Sequence, residues 1–179
     1  GASLFNFSSK FWSKRKYSIV YFSHVSQKAD FSLRWFLSGN NGFKYYLNMQ
    51  KFFSVIPKHI LKKIYHKPHP QTQIDGVNIF PRNFIKEIKS MKEIKKDEKI
   101  NKIISMSNFC LVDYFSTTFL RTLSANKPTL CIFHKDIQKL SKKQNIKFLK
   151  PLIDNNIIFS DLDKAALFFC KNFQNPEKW

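Results

Sequence analysis

Short runs of β-branched and aromatic residues alternate along this chain with longer runs whose apolar residues recur at helical spacing. The short runs are bounded by turn residues and predict strands. The predicted strands are residues 17–22, 61–67, 78–80, 108–114, 128–133 and 157–159. The predicted helices are 43–53, 84–105 as one or two exposed helices, 116–123, 137–153 with a break at Pro151, and a final helix that is capped by Asp161 and ends at Phe173.

This alternation predicts βαβ units and an α/β fold. We expect a Rossmann-like, doubly wound and mainly parallel sheet with helices on both faces. Sheets of this class bind ligands beyond the carboxyl ends of their strands, next to helix N-termini. The sequence shows no internal repeat and no linker, so residues 17–179 are expected to form one domain. Residues 1–16 are expected to be a basic N-terminal extension with a cloning remnant, because the chain begins Gly1-Ala2-Ser3 without an initiator methionine.

The composition narrows the classes of partner. The chain has 179 residues, of which 43% are hydrophobic, enough to bury a sizeable core without disulfides or metal. Its 31 Lys and Arg against 12 Asp and Glu give a formal net charge of +19. Such a charge favours nucleic acid, anionic lipid or phosphorylated metabolites as partners. The cations are nearly all lysine and accompany abundant Ile, Asn and Phe, so the codon bias of an AT-rich genome is an alternative source of the charge.

The three cysteines, Cys110, Cys131 and Cys170, stand alone in apolar segments without the spacing of metal ligands. We interpret them as buried thiols of a reducing compartment and expect no metal site. No apolar run reaches the roughly 18 residues of a membrane helix, and the N-terminus lacks the pattern of a signal peptide. The sequence therefore predicts a cytoplasmic protein.

Lys67-Pro68-His69-Pro70 directly follows a predicted strand. The two prolines hold His69 in an extended backbone conformation and limit the directions in which its imidazole can point. A histidine fixed in this way can donate to a phosphate, and its ordinary pKa near 6.5 allows it to gain a proton when an anion binds. The alternative is a plain turn.

A second candidate follows the predicted strand at 108–114. Ser116, Thr117 and Thr118 begin a helix there, and the first amides of a helix are unpaired and lie at the positive end of its dipole. Hydroxyls and amides together can bind phosphate, although helix capping is an equal alternative. The chain contains no P-loop, no GxGxxG, no GxSxG, no HExxH and no convincing carboxylate pair, so ordinary dinucleotide and P-loop nucleotide binding are disfavoured.

Four segments together resemble the C-terminal, donor-binding half of GT-B glycosyltransferases. They are GFKYY at 42–46, YHKPHP at 65–70, LVDYFSTTFL at 111–120 and NKPTLCIF at 126–133. The resemblance is strongest to the bacterial surface-carbohydrate transferases. The pattern is also similar to the HP-motif and Ser/Thr-motif transferases that use CMP-activated sialic acid or Kdo, and to the polymerases that use CDP-glycerol. The similarity covers most of residues 17–173 and implies one half of a GT-B fold.

The resemblance also implies roles for individual residues. His69, with Pro70 beside it, is expected to bind the phosphate of the leaving nucleotide, and Ser116, Thr117 and Thr118 to surround that phosphate from the helix end. Lys67 is expected to add a cation, and Gly42 is a weaker candidate contact. CMP is the expected nucleotide, bound as part of a nucleotide-activated sugar substrate, and no other cofactor is expected. The general base and the binding site for a glycan or lipid-linked acceptor are expected on an N-terminal half that is missing here, so the fragment should be inactive alone.

Three alternatives remain open. A CDP-glycerol donor would make the chain part of a glycerophosphotransferase. A basic nucleic-acid-binding module is suggested by the charge and by 16% aromatic residues, but most aromatics lie on apolar faces, so nucleic acid is not the expected partner. A peripheral contact with anionic lipid at the inner face of the membrane is compatible with the transferase reading, and the Lys-rich segment 86–102 is its expected place.

Overall fold

A computed structural model describes residues 16–23, 40–69, 86–95, 97–132 and 143–176. Strands and helices alternate through these ranges. In chain order the elements are β1 Tyr17–Phe22, α1 Asn40–Ser54, α2 Lys58–Leu61, β2 Ile64–Lys67, a 3-10 helix Lys86–Ser90, β3 Lys92–Glu93, α3 Ile100–Ser105, β4 Ser107–Val112, α4 Thr117–Ser124, β5 Thr129–Ile132, α5 Lys143–Asp154, β6 Ile158–Phe159 and α6 Leu162–Asn172.

The strands form one sheet in the order β3-β2-β1-β4-β5-β6, and every neighbouring pair is parallel. In the middle of the sheet β1 pairs with β2 on one side and with β4 on the other. This order is that of a Rossmann-like doubly wound sheet. The predicted α/β fold class is therefore confirmed.

Helices cover both faces of the sheet, which explains why the central strands β1 and β4 are apolar at most positions. Ile19, Tyr21 and Leu111 point to the face that α1, α2 and α6 cover. Cys110 and Val112 point to the opposite face, where they pack with residues of α3, α4 and α5. The alternation follows the two-residue period of a strand. Helices therefore cover the sheet from both sides, as predicted.

Several predicted boundaries agree with the structure. β1 spans the predicted residues, and β5 and β6 lie inside the predicted runs. β4 begins at Ser107, one residue before the predicted run 108–114, and ends at Val112. Asp161 caps α6 as expected, because its Oδ1 accepts from the amides of Asp163 and Lys164 at 3.0 and 3.1 Å. The candidate strand 78–80, Phe133 and residues 137–142 of the predicted helix lie outside the described residues.

The predicted strand 61–67 is shorter in the structure. Pro57 has φ −56° and precedes one helical turn, α2, in which Ile60 and Leu61 pack into the core. The strand begins only at Ile64. Apolar residues of a short helix and of a strand cannot be distinguished by periodicity over so few positions, and this explains the error.

The prediction of one or two helices at 84–105 is right in part, since a 3-10 helix, Lys86–Ser90, and α3 lie in this range, but it missed the strand between them. Between a 3-10 helix and the short helix α3 lies β3, which pairs with β2 at the edge of the sheet. Both residues of β3, Lys92 and Glu93, are exposed, while Met91 and Ile94 on either side of it are buried. An edge strand of two charged residues carries no apolar alternation, so its sequence gave no signal for a strand.

The predicted break at Pro151 is also wrong, because α5 continues through it to Asp154. A proline inside a helix removes its own N–H, and its ring crowds the carbonyl four residues earlier. Pro151 is exposed and lies in the last turn, and its carbonyl accepts from the backbone amide of Asn155 at 3.1 Å. The helix therefore loses a single hydrogen bond close to its end.

The cysteines differ in burial. Cys110 and Cys131 are fully buried, as predicted, and burial raises the pKa of the Cys110 thiol to about 12. Cys170 is only half-buried, because its position on α6 lies at the margin of the core. Within the described ranges, no helix has the length and apolar character that crossing a bilayer requires.

Candidate functional site

The candidate site lies at the carboxyl edge of the sheet, where the parallel strands end. β1 and β4 are neighbours there, and the strand order runs from β1 to β2 in one direction and from β4 to β5 in the other. This is the topological switch point, at which doubly wound sheets bind their ligands. Ser23 follows β1, Pro68 and His69 follow β2, and Asp113 and the turn to Ser116 follow β4.

Asp113 places a buried carboxylate at this switch point. It directly follows β4 and shares the strand parity of Phe109 and Leu111, so it lies on the face that α1 covers. Asp113 is 2% exposed. Its Oδ2 accepts hydrogen bonds from the hydroxyls of Tyr21 on β1 and Tyr45 on α1. Three elements that are far apart in sequence therefore meet at one carboxylate.

The two tyrosines in this cluster remain protonated well into the alkaline range. Burial raises the pKa of Tyr21 and of Tyr45 well above the ordinary value, and the negative charge of Asp113 raises both further. Each phenol is therefore a donor at neutral pH, and the carboxylate is the acceptor. A buried carboxylate needs such donors because its charge has lost the solvation of water.

His66 and Ser23 lie next to this cluster on the same face. The Nε2 of His66 is 2.9 Å from the Oγ of Ser23, and its ring stacks on Tyr21 with centroids 5.2 Å apart. The backbone amide of Ser23 donates to the carbonyl of Lys67 at 3.3 Å. Side chains and backbone together fasten the end of β1 to the end of β2.

His69 stands two residues beyond the end of β2, after the buried Pro68. It is half-buried, and burial lowers the pKa of its imidazole. The ring is therefore neutral at pH 7 in the unliganded chain. A phosphate placed beside it would favour the protonated form, because an opposite charge stabilises the charged state.

Lys67 points to the opposite face of the sheet, since neighbouring residues of a strand alternate. Its Nζ donates to the carbonyl of Lys95, beyond the end of β3, at 2.7 Å. Burial lowers the pKa of Lys67, and nearby carboxylates, Glu98 first, oppose this effect. The ammonium of Lys67 therefore binds the backbone that follows the edge strand β3. The contact of Lys67 with phosphate stays a prediction.

Ser116 caps α4 through its side chain. Its Oγ accepts from the amide of Phe119 at 3.4 Å, and the carbonyl of Ser116 accepts the first intrahelical bond, from Leu120, at 3.1 Å. The Ser116 hydroxyl therefore caps the helix, which was the alternative to phosphate binding. Thr117 is exposed and Thr118 half-buried. Their amides precede the first intrahelical bond and point out of the positive end of the helix.

The structure places the two main candidates at the same edge but not side by side. His69 and the turn at Ser116 follow strands that flank β1, two strand spacings or about 10 Å apart. Gly42 belongs to the backbone of the first turn of α1, and Pro70 lies outside the described residues. The end of β1 therefore lies between His69, which follows β2, and the N-terminus of α4, which follows β4.

Tyr21, Tyr45 and His66 are not among the functional residues predicted from the sequence. A signal existed, because Tyr21, His66 and Asp113 are polar residues at the carboxyl ends of otherwise apolar strands. Their contacts join positions 68 and 92 residues apart, and a contact across such a distance depends on strand order. Among the described residues no three His, Cys, Asp or Glu side chains come together as metal ligands would.

Comparison with known proteins gives one positive result. A family model described as LIC12162 family transferase matches residues 3–179, nearly the whole chain. Neither the curated proteins nor the solved structures contain a significant match.

Proposed function

Because the chain belongs to the LIC12162 family of transferases, we propose that it is the donor-binding half of a glycosyltransferase that uses a nucleotide-activated sugar, with a CMP-linked sugar acid as the donor. The product would be a cell-surface glycan. This proposal joins the family membership to the resemblance of the His69 and Ser116 segments to GT-B donor domains. The fold supports it, since a Rossmann-like sheet is the architecture that such a domain requires.

The observation that carries the proposal is the common edge. His69 and the N-terminus of α4 stand on either side of the end of β1, at the switch point. Both can donate hydrogen bonds to an anion, one from an imidazole and the other from the amides and hydroxyls of Thr117 and Thr118. In this proposal the phosphate group and its ribose bind between the two sets of donors.

The proposed chemistry of this half is stabilisation of the leaving group. When the bond between sugar and phosphate breaks, negative charge develops on the phosphate oxygen. The half-buried His69 is neutral before the donor binds and gains a proton beside the phosphate, so the new charge meets a cation in a partly water-excluded site. The general base that activates the acceptor hydroxyl is assigned to a second half, and this chain alone binds the donor without turning it over.

Thermal stabilisation by CMP, CDP, UDP and GDP tests the proposal. A ligand at 100 times its dissociation constant adds about 2.7 kcal/mol to the free energy of unfolding. We expect this stabilisation with cytidine nucleotides, and we expect His69→Ala to remove it. The matched control is His59→Ala, since His59 is an exposed histidine on α2, before the opposite end of β2.

The relative thermal shifts with the four nucleotides distinguish the possible donors. Greater stabilisation by CMP than by CDP supports a CMP-sugar donor, and the reverse supports a CDP-glycerol donor and a glycerophosphotransferase. An equal shift in wild type and His69→Ala would remove His69 from the site. No shift with any of the four nucleotides would refute donor binding by this chain.

A further inference from the structure

We propose that the amino edge of the sheet, where the strands begin, docks on an anionic lipid surface. The docking surface is a basic patch that consists of Val55, Lys58, His59, Lys62, Lys63 and Lys171. All six side chains are exposed. The inference does not depend on which nucleotide the opposite edge binds.

The stretch of sequence around the patch contains basic residues but no acidic ones. Residues 31–74 contain seven Lys and Arg and no Asp or Glu. In the Lys-rich segment 86–102, by contrast, Glu87, Glu93, Asp97 and Glu98 interrupt the lysines. A mixed segment of that kind produces a weak field, whereas cations without neighbouring acids produce a strong one. The patch is therefore a better docking surface than segment 86–102, which the sequence alone suggested.

The residues of the patch lie in or next to three helices, α1, α2 and α6. Val55 follows the end of α1, Lys58 and His59 belong to α2, and Lys62 and Lys63 immediately precede β2. Lys171 lies in the last turn of α6. The Nζ of Lys63 lies 5.6 Å from the centroid of the Phe173 ring, two residues beyond Lys171, so α2 and the end of α6 meet at this edge.

The acids of the packed neighbours leave the charge of the patch largely intact. Asp163 on α6 is paired with Lys51 on α1 at 2.9 Å, outside the patch. Glu87, on the 3-10 helix that packs against α2, has a carboxylate oxygen buried from solvent. Among the residues that the structure describes, the patch therefore presents several lysines against one partly buried carboxylate, that of Glu87.

The character of the patch favours lipid over nucleic acid. Val55 is 53% exposed beside the lysines, and an apolar side chain among cations can enter the boundary between headgroups and acyl chains. The patch contains no arginine and no Phe, Tyr or Trp. Arginine forks and aromatic rings are the groups with which proteins usually read and stack nucleotides.

The positions of the patch and of the candidate site fix how the protein would be oriented on a membrane. All strands of the sheet are parallel, so the patch at the amino edge and His69 at the carboxyl edge lie at opposite ends of β2. Four residues of strand separate them by about 13 Å. When the patch rests on a membrane, the candidate nucleotide site opens away from it.

Co-sedimentation with vesicles tests the proposal on the chain as it is. The vesicles are phosphatidylcholine alone or phosphatidylcholine mixed with phosphatidylglycerol. Each lysine near an anionic surface contributes about fivefold in affinity. The triple variant K58E/K62E/K63E should therefore bind the mixed vesicles at least about 100-fold more weakly than wild type.

The control variant K99E/K147E/K164E makes the same change of charge at exposed lysines outside the patch. It should lose less than about tenfold, because charges far from the contact are screened. Val55→Ser should weaken vesicle binding by about fivefold. Equal losses in the two triple variants, or no binding of the wild type to mixed vesicles, would overturn the proposal.

Two further measurements keep this proposal separate from its alternatives. Binding of a polyuridine oligonucleotide that depends on the patch, with no binding to mixed vesicles, would assign the patch to nucleic acid and overturn the lipid proposal. K58E/K62E/K63E should keep the nucleotide stabilisation of the wild type, because the patch lies at the opposite edge. Failure of the nucleotide experiment would leave the vesicle experiment fully interpretable.

Discussion

The two ends of β4 each hold a buried charge, and the two charges are satisfied in different ways. At the start of the strand, Lys127 is 8% exposed, and its Nζ donates to the carbonyls of Ser105 and Ser107 at 2.7 and 3.1 Å. At the end of the strand, Asp113 accepts from the hydroxyls of Tyr21 and Tyr45. The cation binds backbone, whereas the carboxylate binds side chains.

Lys127 stabilises the fold, whereas Asp113 holds the elements around the candidate nucleotide site in place. The partners of Lys127 are carbonyls at the end of α3 and the start of β4, so the ammonium stabilises one local connection whatever side chains surround it. The partners of Asp113 come from β1 and α1, so this carboxylate fixes the relative position of elements around the candidate nucleotide site. Substitutions at the two ends should therefore affect different properties.

The largest effect is expected at the amino end. Lys127→Met should lower the free energy of unfolding by about 3 kcal/mol, because two buried carbonyls lose a charged donor. Urea denaturation measures the loss, and CMP affinity should stay unchanged under conditions in which the variant is folded. Lys150→Met is the control, since the pair of Lys150 with Asp154 is exposed and its removal should cost less than about 0.5 kcal/mol. A similar loss in both variants would show that the Lys127 charge has no special role.

A smaller loss of stability and a loss of ligand are expected at the carboxyl end. Asp113→Asn keeps the shape of the side chain but offers the two phenols a neutral acceptor, which should cost about 2 kcal/mol. The turn from Asp113 to Ser116 is then held less firmly, so CMP affinity measured by calorimetry should fall about tenfold. Asp154→Asn, at an exposed acid, should change neither quantity. A rise in CMP affinity in Asp113→Asn would mean that the charge of Asp113 repels the phosphate and that its anchoring role is minor.

The smallest effect at neutral pH is expected for Tyr45→Phe, which removes one hydroxyl and should cost about 1 kcal/mol. Alkaline pH should reveal more. In the unfolded chain a tyrosine ionises near 10.0, while the folded pKa of Tyr21 and Tyr45 lies well above it. The unfolded state therefore binds fewer protons above that pH, and stability falls by about 1.4 kcal/mol per pH unit for each tyrosine.

Tyr45→Phe removes one of these two contributions, so its stability should fall less steeply than that of the wild type. Urea denaturation from about pH 9 to about pH 11 gives the two slopes. Equal slopes would show that Tyr45 ionises in the folded state as it does in the unfolded chain.

The central part of the fold could be predicted because burial on both faces makes a strand apolar along its length. Most residues of the runs 17–22 and 108–112 are apolar, and these runs lie in the two central strands, β1 and β4. The signature is missing from β3, whose two residues are exposed and charged. Its place in the sheet is set by pairing with β2, a property that local sequence does not encode.

The candidate site also contains features that local sequence predicts and features that depend on tertiary packing. The location of His69 and of the turn at Ser116 at one edge of the sheet could be predicted, since each follows a predicted strand and parallel strands end at the same edge. The cluster at Asp113 could not, because Tyr45 reaches it from a helix whose position depends on packing over β1 and β4. Sequence identified the residues at the ends of the strands, and tertiary packing determined which of them touch.

The sheet tapers from its middle to its sides. β1 and β4 have six residues each, whereas β3 and β6, the outermost strands of the described sheet, have two residues each. An outer strand exposes unpaired backbone groups on which another chain can add a strand, and such pairing begins many aggregates. Two residues offer too few hydrogen bonds to hold an added strand. A chain that is 43% hydrophobic is thereby protected from edge-to-edge association while folded, and its aggregation is expected to start from unfolded molecules.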